Sequence, residues 1–436
     1  MYRKTPLEAW IAAKIGVQQE RLTLDILEQY QLQKIRQTLR WVKDNSLFYR
    51  QQLYGIEPED ITDFKQFSKL PFTFPRDLQA NPHGLVCTSL SEISRIVTLQ
   101  SSGTTGQPKR IFFTRSDQEL TVDFFDYGMR NLVEPQDRVM ILLPWQRPGS
   151  VGDLLQIGLK RLGAYPIPYG LVTNAKDAIE QALLNGATAM VGVPTQVLTM
   201  ARHGDGAKLR GKIKSVLLTT DYVPAAICRA VTQAWQAKVF NHYGMTEMGL
   251  GGGVQCQALA GYHVREADLY FEIVDPQTGR VLPPGETGEV VFTTLTRTGM
   301  PLIRYRTGDL SRFLEKPCPC GTILRSLDLI KYRISERIKI GDELLGLPDL
   351  DEKIFCFEGV LNYHAACREA GKKRELYIEI LTAEGYKLPE EAVKDSLLTL
   401  PVIKTYYPQS LRINLKQTQQ AAKFYLGSSK RKILQV

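Results

Sequence analysis

Three short clusters of the chain carry side chains of the types and spacing that handle phosphates and nucleotides. The first reads Ser101-Ser102-Gly103-Thr104-Thr105-Gly106-Gln107-Pro108-Lys109, four hydroxyls, two glycines and a lysine within nine residues. Glycines let the backbone approach a phosphate, successive amides and hydroxyls donate to it, and the lysine adds charge. The spacing is not that of a Walker loop, and a strand pattern rather than a helix follows. A Ser- and Gly-rich hairpin turn is the competing reading of the same residues. The second cluster, Asn241-His242-Tyr243-Gly244-Met245-Thr246-Glu247, offers a ring to stack on a base, a hydroxyl for phosphate and a carboxylate for magnesium. His242 serves equally well as a hydrogen-bonded structural histidine. In the third, Arg304-Tyr305-Arg306-Thr307-Gly308-Asp309, an aspartate beyond a tight turn can accept both hydroxyls of a ribose, or close a surface ion pair.

A fourth set can bind metal. Cys256, His263, Cys318 and Cys320 supply three thiols and an imidazole, a complement suited to tetrahedral structural zinc. Four protein ligands leave no open coordination position, which argues against catalysis there. The Cys-x-Cys spacing is tighter than the commonest zinc knuckle, and free thiols are the alternative. Lys14 interrupts the apolar N-terminus before a signal-like core forms, so thiols or metal ligands are expected in preference to disulfides.

Positioning these clusters requires a scaffold of strands and helices. From Glu20 to Asn45, apolar residues recur at helical spacing, which predicts an amphipathic N-terminal helix. Between Leu70 and Pro301, β-rich runs (Ile96 to Leu99, Ile111 to Thr114, Val139 to Leu143, Met190 to Val193, Val216 to Thr219, Leu269 to Val274, Glu289 to Thr294) alternate with helical stretches such as Gly152 to Leu162 and Ala175 to Leu184. That alternation predicts a largely parallel α/β core. Beyond Arg333 a smaller α+β unit is expected, with a strand at Leu376 to Leu381 and a helix at Pro389 to Thr399. The expected domains are therefore 1–334 and 335–436.

With 436 residues, 43% hydrophobic and 23% charged, the chain is excluded from the disordered, collagenous and coiled-coil classes. No apolar stretch approaches the roughly 18 to 20 residues that span a bilayer, so a soluble cytoplasmic protein without membrane contact is expected. The net charge of +9 is uneven: Pro401 to Val436 holds Lys404, Arg412, Lys416, Lys423, Lys430, Arg431 and Lys432 and no acid. Such a tail suits a polyanion, or is a solvated basic face. The absence of an interleaved aromatic and basic platform argues against nucleic acid.

Taken in this order, SSGTTGQPK, YGMTE and RYRTGD resemble the AMP-forming acyl ligases of the adenylate-forming superfamily, on the phenylacetate-coenzyme A ligase branch. Asn45 to Arg50, Leu70 to Thr73 and Pro301 to Ile303 extend the resemblance over nearly the whole chain. It implies a large adenylate-forming domain of mixed sheets and helices followed by a small mobile α+β domain. It implies that Ser101, Ser102, Gly103, Thr104, Thr105, Gly106 and Lys109 hold the ATP phosphates, that Tyr243 stacks on adenine, and that Thr246 and Glu247 contact phosphate and magnesium. Asp309 takes the ribose-binding role, Thr220, Asp221 and Tyr222 the lining of the adenine pocket, and Arg333 that of the arginine that follows. Relatives carry a similar Cys, His, Cys, Cys set, which implies structural zinc. Trp145, Gly149, Val193, Pro194, His242 and Gly249 approach the carboxylate pocket by the same analogy. The hinge departs from the family pattern, since Tyr332-Arg333-Ile334-Ser335-Glu336 lacks the glycine and the first acid. Near the end, Ser428-Ser429-Lys430-Arg431-Lys432 offers two candidates for the catalytic lysine, and Lys430 is preferred because two small residues precede it.

The resemblance implies ATP, magnesium and coenzyme A as reactants and cofactors. A carboxylic acid attacks the α-phosphate, pyrophosphate leaves, and the coenzyme thiol then takes the acyl group from AMP. An adenylyltransferase of the same fold, acting on a cofactor or a carrier protein, is the alternative. A noncatalytic nucleotide-binding protein is the third reading, disfavoured by intact Lys109, Glu247, Asp309 and Lys430. A homodimer stays open.

Overall fold

The computed structural model describes residues 2–99, 107–371, 373–419, 424 and 430–436. These residues form two compact units, the first comprising Met1–Glu134, Gln146–Gly163 and His242–Ile330, the second Pro135–Trp145, Ala164–Asn241 and Lys331–Val436.

In the first unit the long helix Leu24–Asn45 begins where Thr23 caps it, its hydroxyl accepting from the Ile26 amide at 3.3 Å. The helix thus starts four residues later than the apolar spacing predicts, because Gln19–Arg21 forms a separate 3₁₀ turn. Its buried stripe includes Leu27, Ile35, Leu39 and Val42, of which the last three pack into an aromatic-rich core with Phe112, Phe271, Phe292 and Tyr305. Two strand groups carry the sequence clusters. Leu269–Val274, Gly288–Thr294 and Tyr305–Ser311 form an antiparallel array. His242 and Tyr243, the last residues of Lys238–Tyr243, pair antiparallel with Gly253–Gln255, which continues through Tyr262–Val264 to Ser326–Leu327. A hairpin of Ile93–Leu99 and Lys109–Thr114 has Leu99 opposite Lys109. Ser101, Ser102, Gly103, Thr104, Thr105 and Gly106 fall in its connection and lie outside the described residues.

In the second unit, Tyr165–Pro168, Arg138–Leu142, Ala189–Gly192 and Ser215–Leu218 form a parallel sheet in that order, extended by residues 238–241. Ala189–Gly192 and Ser215–Leu218 are buried along their whole length, as expected of parallel strands covered on both faces, which is why they read as unbroken apolar runs. Helices Ala175–Leu184, Pro194–Arg202 and Ala225–Trp235 are the crossovers. The remainder of the unit carries a four-stranded sheet, Leu411–Thr418, Lys373–Thr382, Val360–Ala370 and Ile433–Gln435, an antiparallel central pair flanked by parallel partners. The expected strand and helix there are found, at Lys373–Thr382 and Glu390–Leu398. No helix among the described residues is long and apolar enough to cross a membrane.

Candidate active site

The first unit gathers Lys109, Tyr243, Thr246, Glu247 and Asp309, drawn from separate parts of the chain. Lys109 opens its strand and forms an ion pair with Glu247, whose side chain is only 2% exposed. The Tyr305 hydroxyl donates to the same Glu247 oxygen at 3.1 Å. Glu247 sits in the single turn Thr246–Met248, and Thr246 at its start is half-buried. The turn is reached through Gly244, where a Cβ would lie 2.0 Å from the Leu250 carbonyl oxygen, so no other residue fits. Gly249, with φ of 76°, closes it in the left-handed region.

Tyr243 and Asp309 form a second pair, the phenol donating to the carboxylate at 2.9 Å. Along Tyr305–Ser311 residues alternate between buried and half-buried, so Tyr305, Thr307 and Asp309 share one face. The Thr307 hydroxyl donates to the Val290 carbonyl at 2.7 Å and accepts from the Asp309 amide at 3.0 Å, which fixes the aspartate. Gly308 has φ of 78°, and its amide donates to Glu289 at 2.8 Å. The arrangement can therefore present a carboxylate beside a tyrosine ring, and a second carboxylate beside a lysine. The Tyr305 contact is one that sequence reasoning missed. Its signal lay inside RYRTGD, in the two-residue period that puts Tyr305 and Asp309 on the same side.

His242 lies against two phenyl rings, 6.2 Å from Phe124 and 6.3 Å from Phe125 between centroids. Burial pushes its imidazole down to about 4, so it is neutral near pH 7. Gly251 keeps this region open to the rings, because a Cβ there would fall 2.4 Å from Phe124. The Thr121 hydroxyl donates to the Gly249 carbonyl at 2.8 Å and ties the turn to the helix Arg115–Met129 that carries both phenylalanines.

The second unit holds Thr220, Asp221, Tyr222, Arg333 and Lys430. Thr220 to Tyr222 follow Ser215–Leu218, at the carboxyl end of the parallel strands where α/β sheets commonly bind ligands. Thr220 has φ of 76°, a strained conformation for a β-branched residue. Tyr222 donates to Glu352 at 2.8 Å, and burial together with that carboxylate raises its pKa. Asp221 accepts from Arg431 at 3.1 Å. Arg333 lies 3.7 Å from Glu336. Lys430 is exposed. The basic C-terminal run is thus only partly a solvated face: Lys416, paired with Glu379 at 2.9 Å, is exposed, whereas Arg431 is enclosed by carboxylates.

The cysteine and histidine set converges in the first unit. Its four ligand atoms lie within 4.8 Å of one another and all four residues are buried. Cys256 and Cys318 sulfurs are 3.6 Å apart, and Cys320 sulfur is 3.5 Å from His263 Nε2. A tetrahedral ion with metal–sulfur bonds of about 2.3 Å needs sulfurs roughly 3.8 Å apart, close to this spacing and far from the roughly 2.05 Å of a disulfide. The hydrogen bond from Cys256, reinforced by His263, holds the Cys320 thiol far below its ordinary range despite burial. The four donors therefore have the spacing of a tetrahedral zinc site.

The AMP-binding enzyme family matches residues 56–296. A phenylacetate-coenzyme A ligase of Pseudomonas putida is 30% identical over 308 residues, 68% of this chain and 68% of the relative. A phenylacetate-coenzyme A ligase of Thermus thermophilus is 26% identical over 87% of each chain. Among solved structures, 2-hydroxyisobutyryl-CoA ligase in its postadenylation state shares the fold, with TM-score 0.80 at 20% identity over 95% of this chain and 90% of that one. The chain belongs to the AMP-binding enzyme family and is a relative of the phenylacetate-coenzyme A ligases.

Proposed function

We propose that the protein activates a carboxylic acid, aromatic by preference, as its acyl-adenylate with release of pyrophosphate, and then transfers the acyl group to coenzyme A. The observation that carries this reading is the convergence of Lys109 on Glu247 and of Tyr243 on Asp309 within one unit. Attack of a carboxylate on the α-phosphate brings anion to anion, so the protein contributes positioning and positive charge. Asp309 binds the ribose hydroxyls, Tyr243 stacks on the base, and Lys109 and the hydroxyls of Ser101 to Thr105 take the distal phosphates. Thr246 and Glu247 hold magnesium, which when bound screens the phosphate charge. Phe124, Phe125 and neutral His242 form an apolar wall suited to an aromatic ring. Lys430 is the cation of the first half-reaction, and the chain from about Ser335 onward acts as the small domain. We place the protein in the cytoplasm, where free thiols persist. A panel of acids scored for pyrophosphate release with and without coenzyme A tests the reading. Release that yields thioester only when the coenzyme is present supports it, whereas an adenylylated cofactor or carrier as the end product overturns the second step.

Asp309→Ala is expected to weaken ATP binding by about 1.5 to 3 kcal/mol, the worth of hydrogen bonds to a charged group, or roughly tenfold to a hundredfold in Kd. Titration calorimetry measures it, and equal affinity in variant and parent would rule out the ribose role.

We also propose that Cys256, His263, Cys318 and Cys320 hold one structural zinc, which when bound crosslinks the segments around Cys256 and Cys318. Protein purified without added metal is expected to contain about one equivalent of zinc per chain, and Cys318→Ser or a strong chelator to lower the thermal transition. Metal-free protein of unchanged thermal stability would refute the site.

A further inference from the structure

Arg431 is enclosed by groups from two parts of the second unit. Its guanidinium donates to both oxygens of Asp351 at 2.9 Å, and through Nε to Asp221 at 3.1 Å. The rings of Phe355 and Tyr363 lie 5.2 and 5.5 Å from it, and the Tyr363 hydroxyl donates to Asp351 at 2.6 Å. Asp351, Phe355, Tyr363 and Arg431 all belong to residues 331–436. Asp221 instead belongs to the loop at the carboxyl end of the parallel sheet, one residue after strained Thr220.

The two-pronged Arg431–Asp351 pair is already neutral. Asp221 takes the remaining Nε donor of the buried guanidinium and attracts the same cation, while adding repulsion between the two acids. Burial first, and Asp221 in addition, push Asp351 up to about 6 against the pull of Arg431. Beyond satisfying that donor, the contact registers two segments, because it fixes the backbone at Arg431, and with it exposed Lys430 one residue earlier, against the Thr220 to Tyr222 loop.

We infer that Asp221 and Arg431 are a positioning pair that aligns Lys430 for adenylate formation and is not needed for thioester formation. The inference rests on the role given to Lys430 under the proposed function. It also gives Asp221 a task other than lining the adenine pocket.

The test measures two half-reactions, acid-dependent pyrophosphate release and conversion of synthetic acyl-adenylate plus coenzyme A to thioester, in the full-length parent, Lys430→Ala, Asp221→Asn and Asp221→Glu. Asp221→Asn leaves the Arg431–Asp351 pair intact, so its thermal transition should match the parent. Its kcat for pyrophosphate release should fall by up to about a hundredfold, the effect of displacing a catalytic group by about an ångström. KM for ATP should change less than about threefold, because binding in the ground state is not the interaction removed. The thioester step should run normally, and Asp221→Glu should recover much of the loss. A raised KM for ATP with unchanged kcat would assign Asp221 to the nucleotide and overturn the inference, as would equal loss in both halves together with a lowered thermal transition. Normal rates in Asp221→Asn while Lys430→Ala shows the split would overturn the positioning pair and leave the ligase reading intact. A parent that releases no pyrophosphate with any acid would overturn that reading, and the pair's role with it.

Discussion

Lys430→Ala is expected to abolish acid-dependent pyrophosphate release while still converting synthetic acyl-adenylate and coenzyme A to thioester. A positioned donor that meets charge developing in the transition state contributes about 10²- to 10³-fold in rate, or roughly 2.7 to 4 kcal/mol. In the first half-reaction the lysine meets the α-phosphate as the carboxylate arrives, an interaction stronger in the transition state than in the ground state. In the second, charge develops on the carbonyl oxygen of a finished adenylate, which is a different task. Near-normal rates in both halves would make Lys430 a solvated residue of the basic tail. Loss of both would mark a structural defect. If Lys432→Ala shows the split and Lys430→Ala does not, the terminal motif is shifted by two residues and the mechanism survives.

The parallel strands were legible because each is a short apolar run. Val139 to Leu143, Met190 to Val193 and Val216 to Thr219 were expected, and the strands lie at Arg138–Leu142, Ala189–Gly192 and Ser215–Leu218. The long strand Val360–Ala370 was not legible. Its sequence, VLNYHAACREA, loses the apolar alternation toward its exposed end, and only pairing with Lys373–Thr382 makes it a strand. At the candidate site, side-chain types within each motif signalled chemistry, but partners between motifs did not. Tyr305 reaching Glu247, and Arg431 reaching Asp221 across 210 residues of sequence, are set by tertiary packing that leaves no local periodicity. The four metal-ligand candidates were the exception, because the chemistry of Cys and His names its own partners.

The largest effect on stability is expected from Arg304, a residue that the sequence marked only as the start of a motif. Its guanidinium is 1% exposed and donates twice to Glu272 at 3.0 Å, to the carbonyls of Ser68 and Leu70, and lies 4.1 Å over the Phe72 ring. One side chain thus ties the Leu70 to Thr73 segment to the start of the strand Tyr305–Ser311 that carries Asp309. Arg304→Met should destabilise the first unit by about 3 to 5 kcal/mol, the cost of leaving a buried partner charge unpaired, against a total stability of roughly 5 to 15 kcal/mol. Burial already holds Glu272 above its ordinary range with Arg304 attracting in the opposite direction, so losing the arginine raises it further. An acid whose folded pKa exceeds its unfolded value binds more protons when folded, and stability then falls as pH rises between those two values. The defect of Arg304→Met should therefore be smaller at pH 5 than at pH 8. The double variant Arg304→Met, Glu272→Leu removes the orphaned charge and should recover most of the loss. Chemical denaturation of the parent, both single variants and the double at the two pH values measures these differences. A single-variant loss under about 1 kcal/mol, in the range of an exposed ion pair, or one independent of pH, would show that water reaches Glu272 and that the pair does not secure the segment.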